Sequence, residues 1–453
     1  MKVLMKRVLT VALAIIIGFS GIIGSSYVLV ASDPSRTSVW MDEFNDEPEE
    51  TIDAVFIGGS NVFAFFQGVL AWHEKGITVW NYTCESQRMP ETEYMIRDAR
   101  KRQPDALYII AVNGIGREID QSIIHFLTDN MRMSSNKISV IERMCSIGGY
   151  EGFDKLEFYI PFIRYHDRWK YIRKRDFHHR YFGVKGANVR RGFLTRCKDE
   201  SNKYSPTDDK GVLSDVEKNS MNELMDYLEE NHIKTVFVAT PQLVDKREIS
   251  AYNAALSLAK DRGFDTLNLY HHMDDMQLDP STDYYNMPHT NIHGSIKVTE
   301  YIANYLVNKY GFKDKRGNKK YKSWDDAYDI YKMNYASKGI PEELLSFSDR
   351  DYSIVSPGKV EISENTNSFT LSWAKSKKAS GYSLYRKIAK GRYNLIKEAD
   401  SDTLKYEDSN IEKDTKYNYI VVPYKTKGSK RFYGSYYVKG TSKYSYISQE
   451  QEE

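Results

Sequence analysis

The chain reads as an α/β protein, a parallel sheet wrapped by helices and interrupted by a helical insertion, with a small β-sandwich following it. Three observations predict this. From about residue 50 to residue 312, short continuously apolar runs alternate with amphipathic stretches of helical period, the rhythm of βαβ units. Between about residues 116 and 212 that rhythm breaks, over a gap too long for a plain loop. From residue 356 to residue 443, short alternating runs are parted by charged and Gly-containing turns, the spacing of a β-sandwich. A chain of 453 residues exceeds one ordinary core, so the signals are assigned to separate units, with residues 313–355 as a polar linker.

The first element is topological. Lys2, Lys6 and Arg7 precede residues 8–30, which contain no charged side chain. At about 1.5 Å per residue, a helix of that length crosses a hydrocarbon core of about 30 Å. Positive charge on its N-terminal side keeps that end in the cytoplasm and sends the rest outward. Residues 1–32 are therefore expected to anchor the chain in the cell membrane, with everything after about Asp33 extracytoplasmic. The rival is a cleavable signal with Ala31 before the cut, which would leave a secreted protein. A buried helix is disfavoured, because Pro34 and the polar stretch after Ser32 give it nothing to pack into.

After a short polar stem, residues 52–57 form a compact apolar run that stops at Gly58-Gly59-Ser60-Asn61, as a strand buried on both faces would. Helix 62–75, strand 78–81, helix 91–102 and strand 106–112 follow. Beyond the insertion come helix 214–231, strand 235–239, helix 250–262, strand 266–269 and a last amphipathic helix 294–310. Such a sheet binds ligands beyond the carboxyl ends of its strands. Ser60 lies at one of those ends. Within the insertion, residues 164–198 carry twelve Lys or Arg against Asp167 and Asp176, interleaved with Tyr165, Trp169, Tyr171, Phe177, Tyr181 and Phe182. A solvated helical face explains such a run; the functional alternative is a surface that holds an anionic polymer or lies against acidic lipid headgroups. In the last unit, alternating runs fall at 368–373, 381–388, 393–398 and 417–425. Many of the 35 tyrosines lie in the last hundred residues, where structural use is expected.

Composition excludes several classes. Lys plus Arg number 64 against 62 for Asp plus Glu, and the basic run belongs to an extracytoplasmic segment, so no nucleic-acid partner is indicated. The three cysteines, Cys84, Cys145 and Cys197, form no CxxC and no Cys/His spacing of metal ligands; at most one disulfide can form. His271, His272, Asp274 and Asp275 are spaced faintly like metal ligands, but satisfied loop polars are the ordinary reading, and His293 is expected at the surface.

Two segments carry candidate chemistry. In VFIGGSN the glycines let the backbone turn tightly off a buried strand, which exposes Ser60 at the tip and aims neighbouring amides into the same crevice. A serine hydroxyl becomes a nucleophile only when a base takes its proton and donors stabilise the resulting oxyanion. The segment DYYNMPHTNIHG places His289 in a loop just before the last helix, where the final crossover returns to the strand tips. With GVLAWHEKGITVWNYT and the insertion's FIRYHDRWKYIRKRDF, these blocks resemble the SGNH (GDSL-like) hydrolase and acyltransferase family. The resemblance is to its Gram-positive membrane-anchored branch, related to the D-alanyl transfer protein of lipoteichoic acid modification, and spans about residues 50–310. It implies an SGNH-type three-layer fold with Ser60 as nucleophile and His289 as general base. It further implies an oxyanion hole from the amides of Ser60 and Thr83 with the Asn113 side chain, and substrate contacts from His166, Arg168 and Trp169. A cell-envelope anionic polymer or polysaccharide as substrate and a membrane-bound O-acyltransferase partner come from the resemblance too. The chemistry requires no metal or organic cofactor.

One departure stands out. The family's carboxylate lies three residues before the histidine, and here that residue is Asn286; Asp283, six before it, is the candidate substitute. A neutral amide orients an imidazole but does not stabilise its cation, a change worth about 10⁴ in rate in serine proteases. The expected function is therefore acyl transfer or ester hydrolysis, with a catalytically degenerate glycan- or protein-binding protein as the rival. In the last unit, SWAKSKKASGYSLYRK, KYEDSN and TKYNYIVVPY resemble a bacterial fibronectin type III domain, which implies that Trp373 fills the inter-sheet core and that Tyr417 and Tyr419 lie on a late strand.

Overall fold

A computed structural model describes residues 2–30, 38–177, 197–334 and 339–445. The N-terminal unit is a five-stranded sheet of β1 (Ala54–Gly58), β2 (Val79–Thr83), β3 (Leu107–Ala111), β4 (Thr235–Ala239) and β5 (Asp265–Asn268), in the order β2-β1-β3-β4-β5. Every pairing is parallel. All residues of β1 to β4 are buried, which is why these strands read as unbroken apolar runs rather than as alternation. Helix Met89–Ala99 packs with Asp215–Glu230 and Ser135–Gly148 on one face, while Gly68–Lys75 packs with Ile292–Tyr310 on the other. The chain leaves β1 toward β2 and later crosses back to β3, so the strand order reverses between β1 and β3. In an open α/β sheet that switch opens the ligand crevice.

Three local readings differ from the sequence expectation. The helix expected over 62–75 is two helices, Ser60–Phe65 and Gly68–Lys75. The chain extends at Phe66, whose carbonyl accepts from Asn81 Nδ2 at 2.8 Å, and the Gln67 amide donates to Thr299 Oγ1 at 2.9 Å. The stem holds a helix, Ser38–Asp46, whose Phe44 packs in the core 4.9 Å from the Tyr82 ring. The expected linker contains helix Lys322–Asn334, which packs on Gly68–Lys75 and buries Trp324, Tyr328 and Tyr331; Asp325 accepts from Trp72 Nε1 at 2.8 Å.

The insertion is helical, through Gln121–Thr128, Ser135–Gly148, Gly152–Tyr159 and Phe162–Tyr165, then the 3₁₀ turns His166–Tyr171 and Lys174–Phe177. The part of the basic run at 178–196, with Tyr181 and Phe182, lies outside the described residues. The first helix, Lys2–Leu29, contains a stretch, Leu4–Ser26, long and apolar enough to cross a membrane. After β5, β6 (Tyr284–Asn286) and β7 (His289–Thr290) form a two-stranded hairpin.

The C-terminal unit is a sandwich. Strands β8 (Glu361–Glu364), β9 (Phe369–Ser372) and β12 (Lys405–Asp408) form one sheet. Strands β10 (Gly381–Ile388), β11 (Tyr393–Asp400), β13 (Lys416–Lys427) and β14 (Lys430–Tyr433) form the other, in the order β11-β10-β13-β14, with β15 (Thr441–Tyr444) also on β13. All pairings are antiparallel. Three strands facing five, with β14 and β15 sharing one edge of β13, is a fibronectin type III-like arrangement. Trp373, Tyr382, Leu384, Tyr417, Tyr419 and Val421 fill the space between the sheets. The opposite face of the larger sheet is buried too. Tyr385, Ile420, Val422 and Tyr424 belong to the same apolar cluster as the α/β domain, so the alternation along β13 places one side chain in each of two cores.

Candidate functional site

Ser60 is the first residue of helix Ser60–Phe65, directly beyond β1. The turn needs Gly58, since a Cβ there would lie 2.5 Å from Val62 Cγ2 and 2.8 Å from Ala111 Cβ. As a first-turn residue Ser60 has no carbonyl one turn back to receive its amide. The β6–β7 hairpin supplies the second group. Its register sets Asn286 opposite His289, and the two side chains meet there, with His289 Nδ1 at 2.7 Å from Asn286 Oδ1. The other ring nitrogen, Nε2, lies 2.8 Å from Ser60 Oγ. An amide oxygen only accepts, so Nδ1 carries the proton and Nε2 is free to accept the serine proton. Residues separated by 229 positions thus form one line, Ser60 to His289 to Asn286.

Asp283 does not join that line. It is buried, and its Oδ2 accepts from Lys297 Nζ at 2.7 Å and from the Asp279 amide at 2.8 Å. Its carbonyl takes the Asn291 amide at 2.9 Å, and Asn291 caps the last helix by accepting from the amides of His293 and Gly294. Asp283 shapes the loop that carries His289; of the two acid-position candidates, only Asn286 touches the imidazole.

Asn113, expected in the oxyanion hole, turns its amide toward the tip of β4. Its Nδ2 donates to the Thr240 carbonyl at 2.9 Å and to Gln242 Oε1 at 3.3 Å, and its Oδ1 accepts from Thr240 N at 2.8 Å and Thr240 Oγ1 at 2.9 Å. With both amide hydrogens committed, it pins the tip of β3 to the tip of β4. The same network reaches the segments that carry Ser60 and His289. Asn61, next to Ser60, donates to Thr240 Oγ1 at 2.8 Å, and Gln242 donates to the Pro288 carbonyl at 3.3 Å, next to His289. Asn61, Thr240 and Gln242 thus tie the segments of Ser60 and His289 to the tip of β4, contacts that sequence reasoning missed; the polar string following the apolar run of β4 was the available signal. Thr83 ends β2 in register with Gly58, fully buried.

His166, Arg168 and Trp169 make their contacts elsewhere. His166 Nδ1 meets the Ile163 carbonyl at 2.8 Å, Arg168 binds the Leu29 carbonyl at 2.6 Å and Asp176 at 2.8 Å, and Trp169 stands exposed. His293, expected at the surface, is buried against the sandwich, with Nδ1 at 3.4 Å from the Tyr436 hydroxyl. Burial, with help from Lys297, Arg350 and Lys387, pushes its imidazole down to about 3. His271 pairs with Asp208 and His272 with Asp275, each at 2.9 Å. All three cysteines are free. Beside the crevice, Glu91 accepts from the Arg88 amide at 2.7 Å, and complete burial pushes its carboxyl up to about 8 against the pull of Arg88. A separate cleft of about 720 Å³ is lined by Arg88, Arg117, Val212, Glu217, Arg247 and Glu248, without Ser60 or His289.

No protein-family model matches this chain, and no curated protein matches it. Solved structures similar to part of it include a fibronectin type III domain of human collagen XX, at 16% identity over 21% of this chain and 96% of that one, with a TM-score of 0.18. A fibronectin type III-like protein of Clostridium thermocellum matches at 20% identity over 18% of this chain and 93% of its own, with a TM-score of 0.15. Pectate lyase PelI of Erwinia chrysanthemi, in complex with tetragalacturonic acid, matches at 15% identity over 18% of this chain and 27% of its own, with a TM-score of 0.16. At such scores these likenesses carry no argument about what this chain does.

Proposed function

We propose that this protein is an extracytoplasmic serine acyltransferase or esterase of the SGNH type, held at the membrane by its first helix and acting on a cell-envelope polymer such as teichoic acid or a polysaccharide. The observation that supports this is the 2.8 Å approach of His289 Nε2 to Ser60 Oγ, with Nδ1 held by Asn286. Ser60 Oγ attacks the carbonyl of an acyl donor while His289 Nε2 takes its proton, and the tetrahedral oxyanion faces the Ser60 amide. Collapse expels the donor's leaving group, which takes the proton from His289, and leaves an acyl-serine. A sugar or polyol hydroxyl, or water, then gives its proton to Nε2 and attacks the ester; collapse breaks the bond to Oγ, and Ser60 takes that proton back from His289. Neither step needs a metal or an organic cofactor. In this reading a membrane-bound O-acyltransferase in the same pathway supplies the acyl group.

The test is covalent trapping. A fluorophosphonate probe is expected to add once per chain, at Ser60, with no adduct on Ser60→Ala and at least about a hundredfold slower labelling of His289→Ala. A folded protein that takes no label at Ser60 sinks the catalytic reading. One observation favours a second reading, a degenerate envelope-binding protein: Asn286 places no charge beside the imidazole. Saturable binding of teichoic acid or a glycan by an unlabelled protein, unaffected by Ser60→Ala, would support it instead.

A further inference from the structure

The first helix is built into the domain it precedes. Residues 4–24 are exposed side by side, but Ser26 and Leu29 are buried. The Phe162 amide donates to Ser26 Oγ at 3.1 Å. Arg168 reaches the helix end, donating to the Leu29 carbonyl at 2.6 Å and the Val28 carbonyl at 3.4 Å. Its other side is held at 2.8 Å by Asp176, which is fully buried. Carbonyls at a helix C-terminus have no partner within the helix, and here a side chain of the insertion supplies one. The 3₁₀ turns His166–Tyr171 and Lys174–Phe177 both touch this helix.

Those same turns carry an uncommon surface. Among the described residues, five aromatic side chains stand exposed outside the first helix, and three of them, Trp169, Tyr171 and Phe177, lie on these two turns. Lys170, Arg173 and Lys174 are exposed beside them. Trp169 and Tyr171, each with an apolar body and a polar tip, and the wholly apolar Phe177, mixed with cations, match the layer where hydrocarbon gives way to headgroups. Length places them there. The bare stretch, residues 4–24, spans about 32 Å at about 1.5 Å per residue, close to the hydrocarbon thickness, so the turns around residues 26–29 fall at its outer edge.

We propose that residues 162–177 form a collar that lies in the outer headgroup layer of an anionic bilayer around the emerging helix, seating the domain at a fixed height and orientation. The collar rests on the reading of the first helix as a retained anchor. Arg168 serves the helix end and is not free for lipid, whereas the three cations beside the rings are placed to meet lipid phosphates.

The test uses the full chain in nanodiscs containing phosphatidylglycerol and lipid brominated near the headgroup end of its acyl chains. The emission lost on Trp169→Phe isolates Trp169 from the other tryptophans. That emission is expected to fall at least about twofold in brominated discs relative to unbrominated ones. The triple variant K170E/R173E/K174E is expected to reduce this quenching. Unquenched Trp169 emission overturns the collar, and so does quenching that the triple variant leaves unchanged. Shielding of Trp169 that appears only when native membrane proteins are added back also overturns it, in favour of a protein surface. The intact mass of protein taken from its own membrane separates the two readings. A chain that starts after Ala31 defeats the anchor itself, whereas an intact N-terminus with no quenching defeats only the collar.

Discussion

Replacing Asn286 by aspartate puts a negative charge where an amide oxygen now lies 2.7 Å from His289 Nδ1. The neutral imidazole of the resting site gains little from it. Once Ser60 has given up its proton, the ring is a cation, and the new charge stabilises that state alone. Two unit charges about 4 Å apart attract by about 1 kcal/mol in water and about 4 kcal/mol at the effective dielectric of a protein surface. Both side chains are half-buried, which places the site between these limits. At about 1.4 kcal/mol per tenfold, Asn286→Asp should raise turnover by roughly 5- to 1000-fold. Most of the gain belongs in kcat, since the charge acts on the transition state rather than on bound ester. Steady-state hydrolysis of a chromogenic acetyl ester reads it, with Ser60→Ala as the baseline. A rate unchanged or lowered in a folded Asn286→Asp protein would refute the reasoning, because proton transfer to His289 would then not limit the reaction.

Asp283 and Glu91 give outcomes of a different kind. Asp283→Asn strips Lys297 of its buried partner and should cost about 3 kcal/mol of stability, read as a lower Tm. Labelling of Ser60 per folded molecule should persist; its loss at unchanged Tm would give Asp283 a part in the chemistry. Glu91, with its carboxyl raised to about 8, binds its proton more tightly folded than unfolded. Its contribution is therefore complete below about pH 4.5 and is lost as pH rises through about 8, a decline of a few kcal/mol. Glu91→Gln should narrow the gap in Tm between pH 5 and pH 9, and an unchanged gap would show that another group governs alkaline stability.

The sheet was legible because strands buried on both faces leave unbroken apolar runs, and the hairpin histidine because a loop before the last helix must return to the strand tips. What escaped has physical reasons. Trp324, Tyr328 and Tyr331 recur at helical spacing, but the charged residues between them disguised a packed helix as a linker. Phe66 breaks the first crossover helix for contacts with Asn81 and Thr299, and no local signal foretells such partners. Asn113 lies at a strand tip as expected, yet whether its amide points into the crevice or across to Thr240 depends on a strand 127 positions away. Arg168 was expected in a substrate surface from the resemblance alone; its bonds to the Leu29 carbonyl and to Asp176 follow no pattern that the residues advertise.

Sandwich domains of this kind are usually interchangeable beads on a string, joined to neighbours by little more than chain. This one has surrendered that independence. With Tyr385, Ile420, Val422 and Tyr424 packed into the cluster of the α/β domain, the border visible in the residue pattern is not a border in cohesion. Cutting the chain there would not release two finished proteins but would bare an oily flank on each, and such flanks invite aggregation. Any shortened form meant to be handled in solution has to keep the sandwich, and any transplant of the sandwich has to repaint that flank with polar residues first.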